Sequence, residues 1–302
     1  MIRSKVYGSE VREFESMLSK HFDDSYTIAV SNASVGILGI LYSLGVQNSE
    51  IITTPFTWAG ALTPFKMLNN KVIYGTIEEP TLTLNPDTLE SFITPNTKVV
   101  FSADFIGYPC RLDEIKKICA KYNILLIHDA ASSMGTTYKG KYSGYFADIT
   151  VYSFGRNKPF TTGEGGVVVT KNEKYYEKLI MNIAHPERQD IEMDFYNPFS
   201  LNTSLNPLAV RYGIKTFEEQ INNINHNRDK VLQYLGMNNT DKVIHNSLPN
   251  FYKPIINLLK PIKSISTSDY RDLPFKPLSN NFGFDINILN SYKILKKLCL
   301  IK

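Results

Sequence analysis

The sequence predicts an α/β protein with a mostly parallel central sheet, helices on both faces of it, and a small C-terminal domain. Three observations predict it. Short apolar runs alternate with segments whose apolar residues recur at helical spacing, the pattern left by strand–helix–strand crossovers. One of these runs, Ile124-Leu125-Leu126-Ile127, is apolar throughout, as a strand buried on both faces must be. The 302 residues, 43% of them hydrophobic, suffice for a substantial core and for a division into a large domain, 1–216, and a smaller one, 217–302.

The elements follow in order. A helix is expected over 9–21 and a strand over 27–30, then a helix over 34–44 in which Val35, Leu38, Leu41 and Tyr42 share a face. Strand 50–53 leads through the Pro55 turn to helix 58–68, and strand 71–74 precedes a helix over 86–93 opened by Asn85-Pro86. Strand 98–102, helix 111–122 and strands 124–128, 149–152 and 166–169 complete the alternation. A helix over 172–184 and a polar loop over 197–206 come next. A long helix from 207 to 234, with Pro207 in its first turn, is expected to link the two domains. Beyond it the signals weaken: Asn238-Asn239-Thr240-Asp241 and Leu248-Pro249 mark turns, and Pro254, Pro261, Pro274 and Pro277 interrupt any long element. The stretch 263–283 is expected to be partly disordered, and 286–300 to close the chain as a helix.

Composition excludes several classes of function. Thirty-three basic against 29 acidic residues leave a net charge of +4, spread along the chain without the basic, aromatic-interleaved patch that tracks a nucleic-acid backbone. Cys110, Cys119 and Cys299 have no metal-ligand spacing and an odd count, as reduced thiols do. His21, His185, His226 and His245 are scattered, so no zinc site and no other metal is expected. Neither a leader segment nor a run of about 18 apolar residues is visible, and a soluble, cytoplasmic protein without a membrane partner is expected.

Two residues carry the chemistry. Lys158 stands five residues after Ser153 and just before the glycine-rich turn Gly163-Glu164-Gly165-Gly166. A lysine that forms a Schiff base must lose its proton near neutral pH, and a poorly solvated turn beside an apolar strand lowers its pKa. Taken alone, such a lysine reads better as a surface residue. Asp129 ends the apolar run 124–128, placing a carboxylate at the carboxyl end of a strand, where open α/β sheets bind ligands. Alone it reads as a turn former. Together the two suit pyridoxal phosphate: the lysine for its aldehyde, the carboxylate to keep its ring nitrogen protonated. His128 falls on the opposite strand face, as a satisfied core histidine or an indirect support of that carboxylate.

The ordered motifs Ser31-Asn32-Ala33-Ser34, Thr53-Thr54-Pro55-Phe56-Thr57-Trp58, Gly107-Tyr108-Pro109-Cys110, His128-Asp129-Ala130-Ala131, Ser153-Phe154 with Lys158, and Leu201-Asn202-Thr203-Ser204 extend the pattern. Over about 30–217 the chain resembles the DegT/StrS sugar aminotransferases, pyridoxal-phosphate enzymes of the aspartate-aminotransferase fold (fold type I). The resemblance implies pyridoxal 5'-phosphate as cofactor, with Lys158 as the lysine that bonds to it and moves the proton, and Asp129 as the partner of its ring nitrogen. It implies Trp58 stacked on the ring, Ser132 toward the phenolic oxygen, and Ala33, Ser34 and Ser153 around the phosphate. Trp58 as a core tryptophan and Ser34 as a helix N-cap are the plain alternatives. Asn202 would reach the phosphate of a neighbouring subunit, which implies a homodimer with shared active sites. Where the family has an arginine two residues later this chain has Ser204, and Arg156 is either the compensating cation or a solvated turn residue.

The activity implied is transfer of an amino group, from L-glutamate, to the keto group of a nucleotide-linked deoxysugar, for aminosugar or surface-polysaccharide synthesis. The residues themselves license any proton transfer at a carbon next to nitrogen, so dehydration or elimination stays open, as does a non-catalytic descendant that binds cofactor or sugar nucleotide. Lys158 favours transamination, because the sugar dehydratases of this family carry histidine in its place.

Overall fold

The computed structural model describes residues 9–78, 81–234 and 246–250. Its helices are α1 (Ser9–His21), α2 (Ala33–Ser43), α3 (Ala59–Met67), α4 (Pro86–Leu89), α5 (Leu112–Lys121), α6 (Glu173–Ile183), α7 (Pro186–Met193) and α8 (Pro207–Tyr234). Its strands are β1 (Tyr26–Val30), β2 (Glu50–Thr53), β3 (Lys71–Tyr74), β4 (Thr97–Ala103), β5 (Leu125–Asp129), β6 (Thr137–Tyr138), β7 (Lys141–Tyr142), β8 (Ile149–Ser153), β9 (Gly166–Thr170) and β10 (Ser247–Leu248). Seven of them form one sheet in the order β1-β9-β8-β5-β4-β2-β3. Strands β8, β5, β4, β2 and β3 are successively parallel, and both β1 and β8 run antiparallel to β9, so β9 alone is reversed.

Side-chain alternation along the strands separates two packed faces. Val99, Phe101, Ile127, Ile149, Val151 and Val168 meet Ile37, Ile40 and Leu41 of α2, Leu62 and Phe65 of α3, and Leu179, Ile180 and Ile183 of α6. Their neighbours in sequence face the other way. Val100 and Leu126 pack with Leu112, Ile115 and Cys119 of α5, and Tyr152, Val167 and Val169 pack with Phe14 and Leu18 of α1 and Val210 and Phe217 of α8. Helices on both faces leave only the strand ends open to ligands. Parallel strands β5 and β8 therefore present their last residues, Asp129 and Ser153, at one edge.

Several expectations are refined. Helix α2 begins at Ala33, and Asn32, not Ser34, is its N-cap: the Asn32 side chain accepts from the N–H of Val35. Strand β5 reaches Asp129 and β8 reaches Ser153, each one residue further than the apolar runs indicate. Helix α7 and the β6–β7 hairpin, which pairs with β10, were not legible as elements. Helix α8 covers 207–234 as the expected linking helix does, with the boundary between 216 and 217 lying within it. The disorder expected over 263–283 and the helix over 286–300 lie outside the described residues.

Candidate active site

Lys158 occupies the connection between β8 and the reversed strand β9. That loop is closed at its base by the N–H of Phe154 donating to Gly165 O at 2.8 Å and the N–H of Thr162 donating to Phe154 O at 3.0 Å. Phe154 and Phe160 anchor it from inside; both are fully buried and meet edge to face at 4.8 Å. Gln220 of α8 grips Thr161 through two bonds, accepting from its N–H at 2.8 Å and donating to its carbonyl at 2.9 Å. With the aromatics turned inward, half-buried Lys158 is left facing a cavity of about 610 Å³ lined by Trp58, Gly155, Arg156, Asn157, Gly163 and Glu164.

Asp129 is buried at the end of β5, and its Oδ1 accepts the N–H of Ala131 at 2.9 Å. Burial pushes the carboxyl pKa up, and the Lys158 ammonium is the strongest charge opposing that rise. The amine and the carboxylate that the sequence singles out thus sit within electrostatic reach of one another.

The start of α2 lies close to Trp58 through Ser34. Asn32 satisfies Val35, while the N–H groups of Ala33 and Ser34 precede the first intrahelical bond and so suit an anion. Gly166 opens β9 directly beneath: a Cβ there would meet Tyr152 O at 2.7 Å and the Ala33 nitrogen at 3.0 Å, so only glycine lets the strand approach the helix start this closely. Trp58, the N-cap residue of α3, is 62% exposed, which rejects the core-tryptophan reading. Its indole Nε1 lies 2.5 Å from where a Cβ of Gly60 would be, and Ser34 Oγ lies 3.6 Å from the same point, so indole and hydroxyl converge. Ser153 is half-buried, and its Oγ accepts the N–H of Gly155 at 3.4 Å.

Ser132 and Asn202 do not line the Lys158 cavity. Ser132 is buried, with its Oγ accepting the N–H of Gly107 at 3.2 Å, so it braces the loop after β4. Asn202 is exposed, adopts a left-handed φ of 48°, and accepts the Ser204 hydroxyl at 3.2 Å. It lines a separate cavity of about 520 Å³ with Ser31, Glu164, Arg188 and Ser204. Glu164 borders both cavities.

Sequence reasoning missed Arg188. It shares the cavity of Ser204, whereas Arg156, the compensating cation or turn residue of the sequence reading, lines the Lys158 cavity. Its Nη1 meets Glu15 Oε1 at 2.9 Å and its Nε meets Glu192 Oε1 at 2.9 Å, in a buried network that joins α1 to α7. The available signal was His185-Pro186, a cap followed by proline at the first helical position. Cys110 also has company that spacing did not reveal: among the described residues, Asp104, Cys110 and His128 bring possible metal-ligating atoms within 4.8 Å of one another. Each is already engaged, Asp104 with His128 at 3.1 Å and Cys110 Sγ with Ala103 O at 3.1 Å.

The donor set fits pyridoxal phosphate: an amine, a buried carboxylate opposite it, an exposed indole, and a helix start with two N–H groups over a glycine floor. Seven strands with one reversed, carrying this set at the carboxyl edge, define a fold-type-I pyridoxal-phosphate transferase architecture. Residues 3–245 match the DegT/DnrJ/EryC1/StrS aminotransferase family, and the chain belongs to it. A GDP-perosamine synthase of Escherichia coli O157:H7 is 31% identical over 174 residues, 57% of this chain and 48% of that protein. The chain spans about half the length of the curated relatives it matches. Among solved structures, an aminotransferase from Psychrobacter cryohalolentis is similar with a TM-score of 0.71 at 23% identity, covering 81% of this chain and 68% of that one. The E. coli GDP-4-keto-6-deoxy-D-mannose-3-dehydratase with bound hydrated PLP is similar with a TM-score of 0.68 at 25% identity, covering 75% and 64%. No helix among the described residues is long and apolar enough to cross a membrane.

Proposed function

We propose that this chain is a pyridoxal-phosphate-dependent aminotransferase that moves an amino group from L-glutamate to the keto group of a nucleotide-linked deoxysugar. The observation that carries the reading is Lys158 facing an open cavity beside the exposed Trp58, with its charge acting on buried Asp129. Bound there, the cofactor supplies an electron sink that labilises hydrogen on the carbon next to the substrate nitrogen. Lys158 is the residue that would hold the cofactor's aldehyde carbon, and its Nζ the base that would carry the proton. Asp129 keeps the ring nitrogen protonated; at an effective dielectric of ~20 and ~4 Å such a pair is worth about 4 kcal/mol before desolvation. Ala33, Ser34 and Ser153 hold the phosphate, and Trp58 covers one ring face and excludes water.

A second copy of the chain completes the reading. The segments flanking Asn202 in sequence expose apolar side chains, Tyr196 at 62%, Phe199 at 84% and Leu208 at 72%, which suits a subunit contact carrying Asn202 toward a neighbouring phosphate. Similarity to a 3-dehydratase supports a second reading, dehydration of the same class of sugar. Lys158 favours transamination, since the resemblance places histidine there in the dehydratases.

The test is an absorption spectrum of the protein with pyridoxal phosphate, before and after L-glutamate. The visible band of the lysine-bound cofactor is expected to give way to the near-ultraviolet band of the aminated cofactor. A visible band that glutamate leaves unchanged removes glutamate as donor, and absence of the band removes the enzyme reading in favour of a non-catalytic binder.

A further inference from the structure

On the far face of β5 from Asp129 lies a buried polar network that the proposed chemistry does not use. The His128 side chain is fully buried; its Nε2 meets Asp104 Oδ1 at 3.1 Å and its Nδ1 meets Ser102 Oγ at 2.9 Å. Asp104 Oδ1 also accepts the N–H of Cys110 at 3.0 Å, and its Oδ2 accepts the Ser143 hydroxyl. The Tyr152 hydroxyl donates in turn to Ser143 O. Burial alone would raise the Asp104 pKa, but His128 and the Ser143 hydroxyl hold it below the ordinary aspartate value, so the group is charged. A buried charge this well satisfied restricts every segment that satisfies it.

Those segments frame Asp129. The N–H of Asp104 donates to the carbonyl of Asp129 itself at 3.0 Å. By binding Cys110, Asp104 closes the loop that follows β4, in which Ile106 (φ 47°) and Gly107 (φ 94°) take left-handed conformations. Gly107 then donates its N–H to Ser132 Oγ at 3.2 Å and accepts the Thr136 hydroxyl at 2.9 Å, gripping the chain just beyond Asp129. Asp104 therefore controls Asp129 from its own peptide group, from its neighbour His128, and from the segment that follows.

We propose that Asp104, through its pair with His128, is a positioning residue that sets the Asp129 carboxylate against the cofactor's ring nitrogen. The inference rests on the cofactor reading above and deepens it. The readout is the ring-nitrogen chemical shift of pyridoxal phosphate labelled with ¹⁵N, which reports whether that nitrogen is protonated and which a merely structural role would leave alone. It is taken together with cofactor affinity and the thermal midpoint of the cofactor-free protein.

Asp104→Asn is expected to move the shift toward the unprotonated value and weaken cofactor binding about tenfold. The exchange variant Asp104→His with His128→Asp, which rebuilds the pair in reverse, is expected to restore both. Ser143→Ala, a milder change that removes one bond to Asp104, is expected to move the shift the same way by a smaller amount, and it keeps the test decisive where Asp104→Asn does not fold. Wild-type shift and affinity in both Asp104→Asn and Ser143→Ala would overturn the positioning role. A wild-type protein that holds no labelled cofactor would overturn the functional reading itself.

Discussion

The edge that carries Lys158 and Asp129 and the segment that carries Asn202 are built on opposite principles. Around Lys158 the backbone is fixed from within, by the buried Phe154–Phe160 pair, by Gln220 and by the glycine floor at Gly166. Around Asn202 the backbone is stitched to its neighbours, Ser31 N–H to Thr203 O at 2.7 Å and Thr203 N–H to Ile183 O at 2.8 Å, with Thr203 and Leu205 turned inward while Leu201, Asn202 and Asn206 are exposed. The difference teaches that the amine and the carboxylate are held by contacts within one chain, whereas Asn202 stands on an exposed surface that the proposed subunit contact would cover.

Lys158→Ala gives the sharpest break. Covalent attachment of the cofactor is expected to vanish entirely, while stability changes by no more than about 0.5 kcal/mol, since the loop is held by Phe154, Phe160 and Gln220. A visible cofactor band in the variant, or a large loss of stability on denaturant titration, would dissolve the contrast.

Next comes Arg188→Met, which strands the buried Glu15 carboxylate. We expect a loss of about 3–5 kcal/mol in denaturant unfolding, most of it recovered by adding Glu15→Leu, because an unpaired buried charge costs more than an apolar pair. Loss of the same size in both variants would mean that packing, not charge, joins α7 to α1.

Gly166→Ala pushes a methyl group against backbone atoms of Tyr152 and Ala33. Expected are a destabilisation of about 1–3 kcal/mol and weaker binding of inorganic phosphate and cofactor alike. Unchanged phosphate affinity would remove the start of α2 from the cradle.

Asn202→Ala has the smallest expected effect, about tenfold in cofactor affinity (about 1.4 kcal/mol). It should appear only at protein concentrations where two copies associate, as followed by sedimentation and fluorescence titration together. A concentration-independent effect would assign Asn202 to its own chain's site.

Acid stability carries a further signature. Asp104 has a folded pKa below its ordinary 3.8, so its contribution is present above about pH 4 and is lost as pH falls through the folded value. The stability gap between wild type and Asp104→Asn should therefore narrow below pH 4; a gap that widens there would contradict a charged Asp104.

The alternation of strands and helices was legible because each buried strand and amphipathic helix writes its period into the sequence; Asp129 was singled out by its strand end and Lys158 by the glycine-rich turn that follows it. Other features were not, for physical reasons. Asn32 rather than Ser34 caps α2 because capping depends on backbone geometry that either side chain tolerates. Helix α7 has eight residues and a polar sequence, held by Arg188 and Gln189 rather than by an apolar stripe. The Asp104–His128 pair joins residues 24 positions apart through the register of β4 and β5, which no local pattern records. Ser132 stands at the expected place beyond β5, but its hydroxyl turns to Gly107, a choice made by the loop after β4.

The most direct test of the Lys158 assignment is borohydride reduction of the protein loaded with pyridoxal phosphate, followed by peptide mass spectrometry. A single cofactor adduct on the peptide containing Lys158, absent after Lys158→Ala, is the predicted result. An adduct on another lysine, or none, would contradict the account at its centre.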